Sequence, residues 1–332
     1  MTQTCTRRQF LKTAAIAAAA ASMPLEISSS AAAADAPLSR VIVGSHSELV
    51  ALDETIQPQI ARAVIDEMLK ELTGASAARD AWLKILPNLQ PADVVGVKVN
   101  CINARHASRP DVVYALADSL IQSVDFNPNN IIIWDRAGRE LKRAEYTINR
   151  SASGIRCFGT DHTGYDNAAA VDVGSAMPMH FSAILSQMCT HLINVPVLKD
   201  HSMAGVTLSL KNHYGSIDNP GACHGNGCDP YVANLNLAPT IREKTKLIVC
   251  DALFGIYHGG PDGAPQWINR QLLASLDPVA LDYVGMTILD AQRRQNSLPP
   301  LAERVAYLTT AARLGLGANN PAQIARIDLP LG

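Results

Sequence analysis

Four short runs, residues 92–100 (ADVVGVKVN), 129–135 (NNIIIWD), 190–199 (THLINVPVLK) and 246–253 (KLIVCDAL), each centre on aliphatic residues. A strand with one wet face alternates apolar with polar residues, whereas a strand buried on both faces does not. These runs therefore predict strands covered on both sides. Residues 39–44 (SRVIVG), the GIRCFG run and the ARIDL run near the end read the same way. The segments between them have helical periodicity. Residues 56–86 suggest two helices broken at LTGAS, and RPDVVYALADSLIQS opens on Pro110 and Asp111. SAILSQM reads as a further helix. DPVALDYVGMTILDAQRRQ starts at an acidic cap, and LAERVAYLTTAARLG ends near Gly315. Buried strands alternating with amphipathic helices predict an α/β fold, with a mostly parallel sheet covered by helices on both faces. A 48% hydrophobic chain of 332 residues can build that core as one unit or as two lobes.

The chain begins differently. TRRQFLK, residues 6–12, precedes an alanine-rich apolar run, and AAAADAP ends the segment with small residues. This is an export-signal layout, with an A-x-A-like cleavage site near Ala34 or Ala36. The paired Arg7 and Arg8 resemble the twin-arginine form of that signal. The expectation is a signal peptide over residues 1–36, an α/β domain over 37–332, and a periplasmic destination. The expected partner is the twin-arginine export machinery, which carries proteins already folded, often with a cofactor inserted. No later run approaches the ~20 apolar residues of a membrane-spanning helix. With 28 Lys and Arg against 30 Asp and Glu, and no basic patch, nucleic acid is not an expected partner.

In open α/β sheets, ligands settle at the carboxyl ends of strands. Four candidate strands end in polar residues: Lys98 and Asn100; Asp135; Lys199, Asp200 and His201; Cys250 and Asp251. One of them runs directly into residues 197–230, VLKDHSMAGVTLSLKNHYGSIDNPGACHGNGCDP, which hold three of the chain's nine histidines and two of its seven cysteines. As a helix or as a strand, residues 205–215 set Thr207 and Lys211 on one side and bury leucines on the other. A lysine in so apolar a segment needs an anionic partner, a lowered pKa or both. His201 and Lys211 are thus the candidate acid/base and anion-holding groups. Lys98, Asn100, Lys199, Asn212 and Asp251 are the candidate ligand or cofactor contacts. His213, beside Tyr214, reads equally as a site residue or a packed histidine.

Cys223, His224 and Cys228 could supply thiolate and imidazole ligands to zinc or a similar metal. The same cysteines could instead form a disulfide in an oxidising compartment, or remain free thiols. Cys5 leaves with the signal, and Cys101, Cys157, Cys189 and Cys250 lie in apolar runs where buried free thiols are expected. His106, His162 and the turn-rich HGGPDGAP loop read as ordinary loop features. No dinucleotide glycine motif, Walker loop, zincin helix or nucleophile elbow is present.

VGVKVN, NVPVLKDHSMAGVTLSLKNHYGSI and LDPVALDYVG together resemble the DUF362 family, a domain of unknown function, over most of the chain after the signal. Some members of that family carry fused ferredoxin modules. This chain has no such module, so an iron–sulfur cluster is the less expected cofactor. A looser fold-level likeness to nickel-pincer lactate racemases carries over no residues and leaves a metal ion or organometallic cofactor as the expectation. The functional expectation is an exported metal- or cofactor-binding protein, performing redox or carbanion-type chemistry on a small anionic substrate. The alternative is a non-catalytic binding or maturation protein with a Cys223–Cys228 disulfide and no metal.

Overall fold

The apolar runs form strands whose successive side chains enter two separate cores. In β3 (Ile131–Asp135), Ile131 and Ile133 face one core and Ile132 and Trp134 the other. The computed structural model describes residues 38–332; the signal segment and its cleavage site lie outside the described residues. The other strands are β1 (Ser39–Ser45), β2 (Val95–Lys98), β4 (Arg156–Gly159), β5 (Tyr165–Val171), β6 (Met179–Ser182), β7 (His191–Asn194), β8 (Val197–His201), β9 (Gly205–Thr207), β10 (Thr245–Ile256), β11 (Trp267–Ser275) and β12 (Ile324–Pro330).

Ten strands make one sheet, ordered β12-β1-β11-β10-β7-β2-β3-β4, with β8 paired to β10 and β9 to β8. The β7–β2–β3–β4 half is parallel, as are β10–β7, β10–β8 and β1–β12. The exceptions are β11, which runs antiparallel between β1 and β10, and β9, which runs antiparallel to β8. β5 and β6 form a separate hairpin.

Helices α1 (Pro58–Thr73), α2 (Ala78–Ile85) and α3 (Pro110–Val124) cover one face. α3 starts with Pro110 in its first turn and buries Val112, Val113, Leu116 and Leu120. Each such side chain removed from water stabilises the fold by ~1.5–3 kcal/mol. Helices α4 (Tyr231–Leu237), α5 (Pro278–Gln295) and α6 (Ala306–Arg313) build the opposite core. Asp277 caps α5 by accepting from the N–H groups of Val279 and Ala280, both at 2.9 Å. The described residues thus form an α/β fold with helices on both faces, and by their contacts they make one unit.

Several local expectations change in the structure. Residues 190–199 form two strands, because Pro196 has no N–H to give to a ladder. Its carbonyl instead accepts from Asp251 N at 2.9 Å, and β8 restarts against β10 further along. SAILSQM is a single π-type turn, Ile184–Met188. The undecided segment is both kinds of structure in succession: β9, then a helical turn, Ser209–Asn212.

Candidate functional site

The carboxyl ends of β2, β3 and β8 open on one side of the sheet. There Lys98, Asp135, Lys199 and His201 line a cleft of about 470 Å³. The opposite wall is the segment from Thr207 to His224, carrying Lys211, Asn212 and Tyr214. α5 holds this wall in place. The buried Asp282 carboxylate accepts from Ser209 N, Ser209 Oγ and Leu210 N, so it pins the start of the turn that carries Lys211. Gly285 leaves room for Leu208, whose Cδ1 would lie 2.7 Å from any Cβ there. The LDPVALDYVG run thus works as a support for the central segment.

The two ends of that segment turn on glycines for different reasons. Gly205 has φ +80°, a left-handed conformation that other residues avoid. Gly215 does not stop a helix; it lies in the following turn, His213–Ser216. A Cβ there would sit 2.7 Å from Lys98 Nζ and 2.8 Å from Asp135 Oδ1.

The three buried lysines differ in their partners. Lys98 Nζ donates to Asp135 Oδ1 at 2.7 Å and to the Val99 carbonyl at 2.6 Å. Lys199, fully buried, donates to Asn100 Oδ1 at 3.0 Å. Lys211 donates to His224 Nε2 at 3.1 Å and lies 4.1 Å from the centre of the Tyr214 ring. Among the described residues, no carboxylate lies within ion-pair distance of Lys199 or Lys211. Burial lowers the pKa of each to about 8.

The amides beyond Lys199 form a directed chain. Asn100 Nδ2 donates to Asn212 Oδ1 at 3.0 Å, Asn212 Nδ2 to Asn194 Oδ1 at 2.7 Å, and Asn194 Nδ2 to the Ser209 carbonyl at 2.9 Å. His213 ends this chain, fully packed, with its ring bonded to Ser216 Oγ at 3.3 Å. It belongs to the support and not to the cleft lining.

His201 Nδ1 accepts from the backbone N–H groups of Met203 and Ala204 at 3.1 and 3.2 Å. The neutral ring therefore carries its proton on Nε2, which has no protein acceptor among the described residues. Burial, with Lys211 and His224 nearby, lowers its pKa to about 3, so His201 is a neutral donor. The His224 ring stacks on His201, with centroids 5.7 Å apart. Its Nδ1–H donates to the Pro220 carbonyl at 2.9 Å. Thr207 Oγ1, on the same wall, is buried without a hydrogen-bond partner.

The structure thus brings Lys98, Asn100, Lys199, His201, Lys211, Asn212 and His224 to one cleft. It does not bring Asp251 there. β10 runs on to Ile256, so Asp251 lies within the strand, where its carboxylate accepts from Arg109 N at 2.8 Å and Leu253 N at 3.2 Å. Cys223 and Cys228 are buried free thiols beside Lys211, and burial pushes the Cys223 thiol up. Both ring nitrogens of His224 are engaged elsewhere. Among the described residues, no three His, Cys, Asp or Glu side chains converge as a ligand set for a metal ion. Arg136, Glu140 and Asp262 also line the cleft. Arg136 follows directly on the strand end at Asp135, Glu140 lies in the short helix Gly138–Arg143 after it, and Asp262 lies in the HGGPDGAP loop.

An α/β sheet with a lysine-rich cleft at its strand ends, behind an export signal, defines the class of protein. The chain belongs to the family described as domain of unknown function DUF362, which matches residues 95–287. Residues 4–24 match the TAT (twin-arginine translocation) pathway signal sequence, so the chain is exported by that route to the periplasm. No helix among the described residues is long and apolar enough to cross a membrane. No curated protein matches the chain. A crystal structure of a Thermotoga maritima protein aligns at 9% identity and a TM-score of 0.40, covering 78% of this chain and 59% of that one. The chain therefore spans less than two thirds of that protein's length, and the likeness carries no argument here.

Proposed function

We propose that the cleft binds a small anionic molecule, with Lys211 and His201 as its contacts and Lys211 as the group that exchanges a proton. One observation carries this reading: Lys199 and Lys211 are buried at the cleft without a carboxylate for either. Cationic groups withdrawn from water are costly unless something anionic answers them. A carboxylate or phosphate oxygen between Lys211 Nζ and His201 Nε2–H would do so, and it would also reach the unpartnered Thr207 hydroxyl. Lys211 exchanges a proton near pH 8, while His201 stays neutral and donates a hydrogen bond. Asp135 is already taken by Lys98, so it leaves this charge unanswered.

Calorimetry of the exported protein with oxalate, pyruvate and phosphate tests the reading. At least one anion should bind, with affinity falling as pH rises through about 8, where Lys211 loses its charge. Lys211→Met should weaken that binding at least ~10-fold, the scale of one charge-assisted hydrogen bond. No binding by any of the three overturns the proposal. Binding that requires added zinc, and is lost in a Cys223→Ser/Cys228→Ser variant, overturns it in favour of a metal carrier.

A further inference from the structure

We infer that Lys199 forms an imine with the carbonyl carbon of a small oxo acid, whose carboxylate rests on Lys211. This deepens the anion-site reading and rests on it. Lys199 and Lys98 come from neighbouring strand ends and are buried alike, yet their settings differ. Lys98 faces a carboxylate at 2.7 Å. Lys199 faces a neutral amide oxygen, Asn100 Oδ1, at 3.0 Å. Asn100 cannot turn its amide to offer nitrogen instead, because its Nδ2 is committed to Asn212, and Asn212 in turn to Asn194.

An ammonium has three N–H bonds, and this site supplies one acceptor for them among the described residues. A neutral amine has two N–H bonds and a lone pair, so the same acceptor serves it better. Burial and the positive charge of Lys211 both favour the neutral form; Asp135 and Asp262 oppose them, and the pKa settles at about 8. A desolvated lysine beside a second cation is a standard way to make an amine nucleophilic near neutral pH.

In the step itself, the Lys199 Nζ lone pair forms a C–N bond to the carbonyl carbon. The C=O pair moves to oxygen, which takes a proton from the Lys211 ammonium. The nitrogen then gives up two protons, one back to the Lys211 amine and one to the carbinolamine hydroxyl, which leaves as water. The sum is amine plus ketone giving imine plus water, with no change of oxidation state.

The test is reductive trapping on the exported protein, using pyruvate and sodium cyanoborohydride, with peptide mass spectrometry to locate the adduct. The expected result is an adduct on Lys199 ahead of the surface lysines, suppressed by excess oxalate. Its rate should peak near pH 8, where neutral Lys199 and charged Lys211 coexist, and not keep climbing toward about 10.5 as for an exposed lysine. Lys199→Arg should abolish the adduct, with folding checked by circular dichroism. Lys211→Met should slow the adduct and raise the pyruvate concentration required. If oxalate binds by calorimetry but Lys199 gains no adduct, or gains it no faster than surface lysines, the imine is overturned and the anion site stands. If neither oxalate nor pyruvate binds and no adduct forms, both fall.

Discussion

Gly215 shows how closely the cleft floor is built. A methyl group at this position would press on the buried ion pair of Lys98 and Asp135, both of which are fixed by further hydrogen bonds. Asp135 Oδ2 also holds Cys101 N at 2.6 Å, so the pair has little room to retreat. Gly215→Ala should therefore cost ~1–3 kcal/mol, the usual range for overpacking. Thermal unfolding would measure it, with Gly221→Ala as a control, since the nearest atom to a Cβ there is 3.8 Å away. Equal melting temperatures for the two variants would sink this account of Gly215. At this scale the sequence is most legible where chemistry alone decides. Lysines in an apolar segment need partners, and Lys199 and Lys211 are both at the cleft. It is least legible where the answer depends on a strand's length. Asp251 reads as a strand end because the polar residue interrupts an apolar run, but two backbone ladders, to β11 and β8, carry β10 past it. The spacing of Cys223, His224 and Cys228 admits a ligand set, a disulfide or free thiols alike. Spacing does not reveal which way a ring turns, and His224 turns to Lys211 and Pro220.

The turn Ser209–Asn212 is the element on which the cleft depends most, and it is too short to be stable alone. Asp282 supplies what the turn lacks, taking both N–H groups at its start and the Ser209 hydroxyl. An asparagine in its place would point an N–H group at one of those donors. Asp282→Asn should destabilise the protein by ~1–3 kcal/mol through the unmet buried groups. It should also weaken oxalate binding, because Lys211 rides on the turn. Urea unfolding and calorimetry on the same preparation would check both, and an unchanged affinity would separate the support from the site. Elements of this kind were only half legible. Helices α1, α3 and α5 and the inner strands declare themselves by period and caps. β11 gives no such signal, because polar residues 269–271 interrupt WINRQLLAS and it has no β-branched run, and its place is set by β1 and β10 on either side. The break at Pro196 was overlooked because the residues around it are apolar, though the missing N–H is visible in the sequence.

The molecule as a whole withdraws more titratable groups from water than its 17% charged content suggests. His106, His201 and His213 are neutral in the fold, each with its pKa lowered to about 3, mainly by burial. In the unfolded chain each binds a proton near pH 6.5. Between about pH 3 and 6.5 the unfolded state thus holds more protons at these sites, and stability rises with pH. Asp251 and Asp282 act the other way. Burial raises them to about 6 and about 7 from 3.8, so the fold holds the extra proton, and stability falls as pH climbs through that window. Smaller shifts divide, with Asp200 and Glu140 raised and His224, Asp93 and Asp218 lowered. At the most strongly shifted groups, three histidines outnumber two carboxylates, so stability should rise with pH between about 4 and 6. The urea midpoint of the mature protein should accordingly rise between pH 4 and 6. In His213→Gln the groups balance two against two, so the profile should flatten even if the variant is less stable throughout. A wild-type midpoint that falls over this range would mean that the buried carboxylates outweigh the histidines. The neutral His201 on which the anion site relies would then need another explanation.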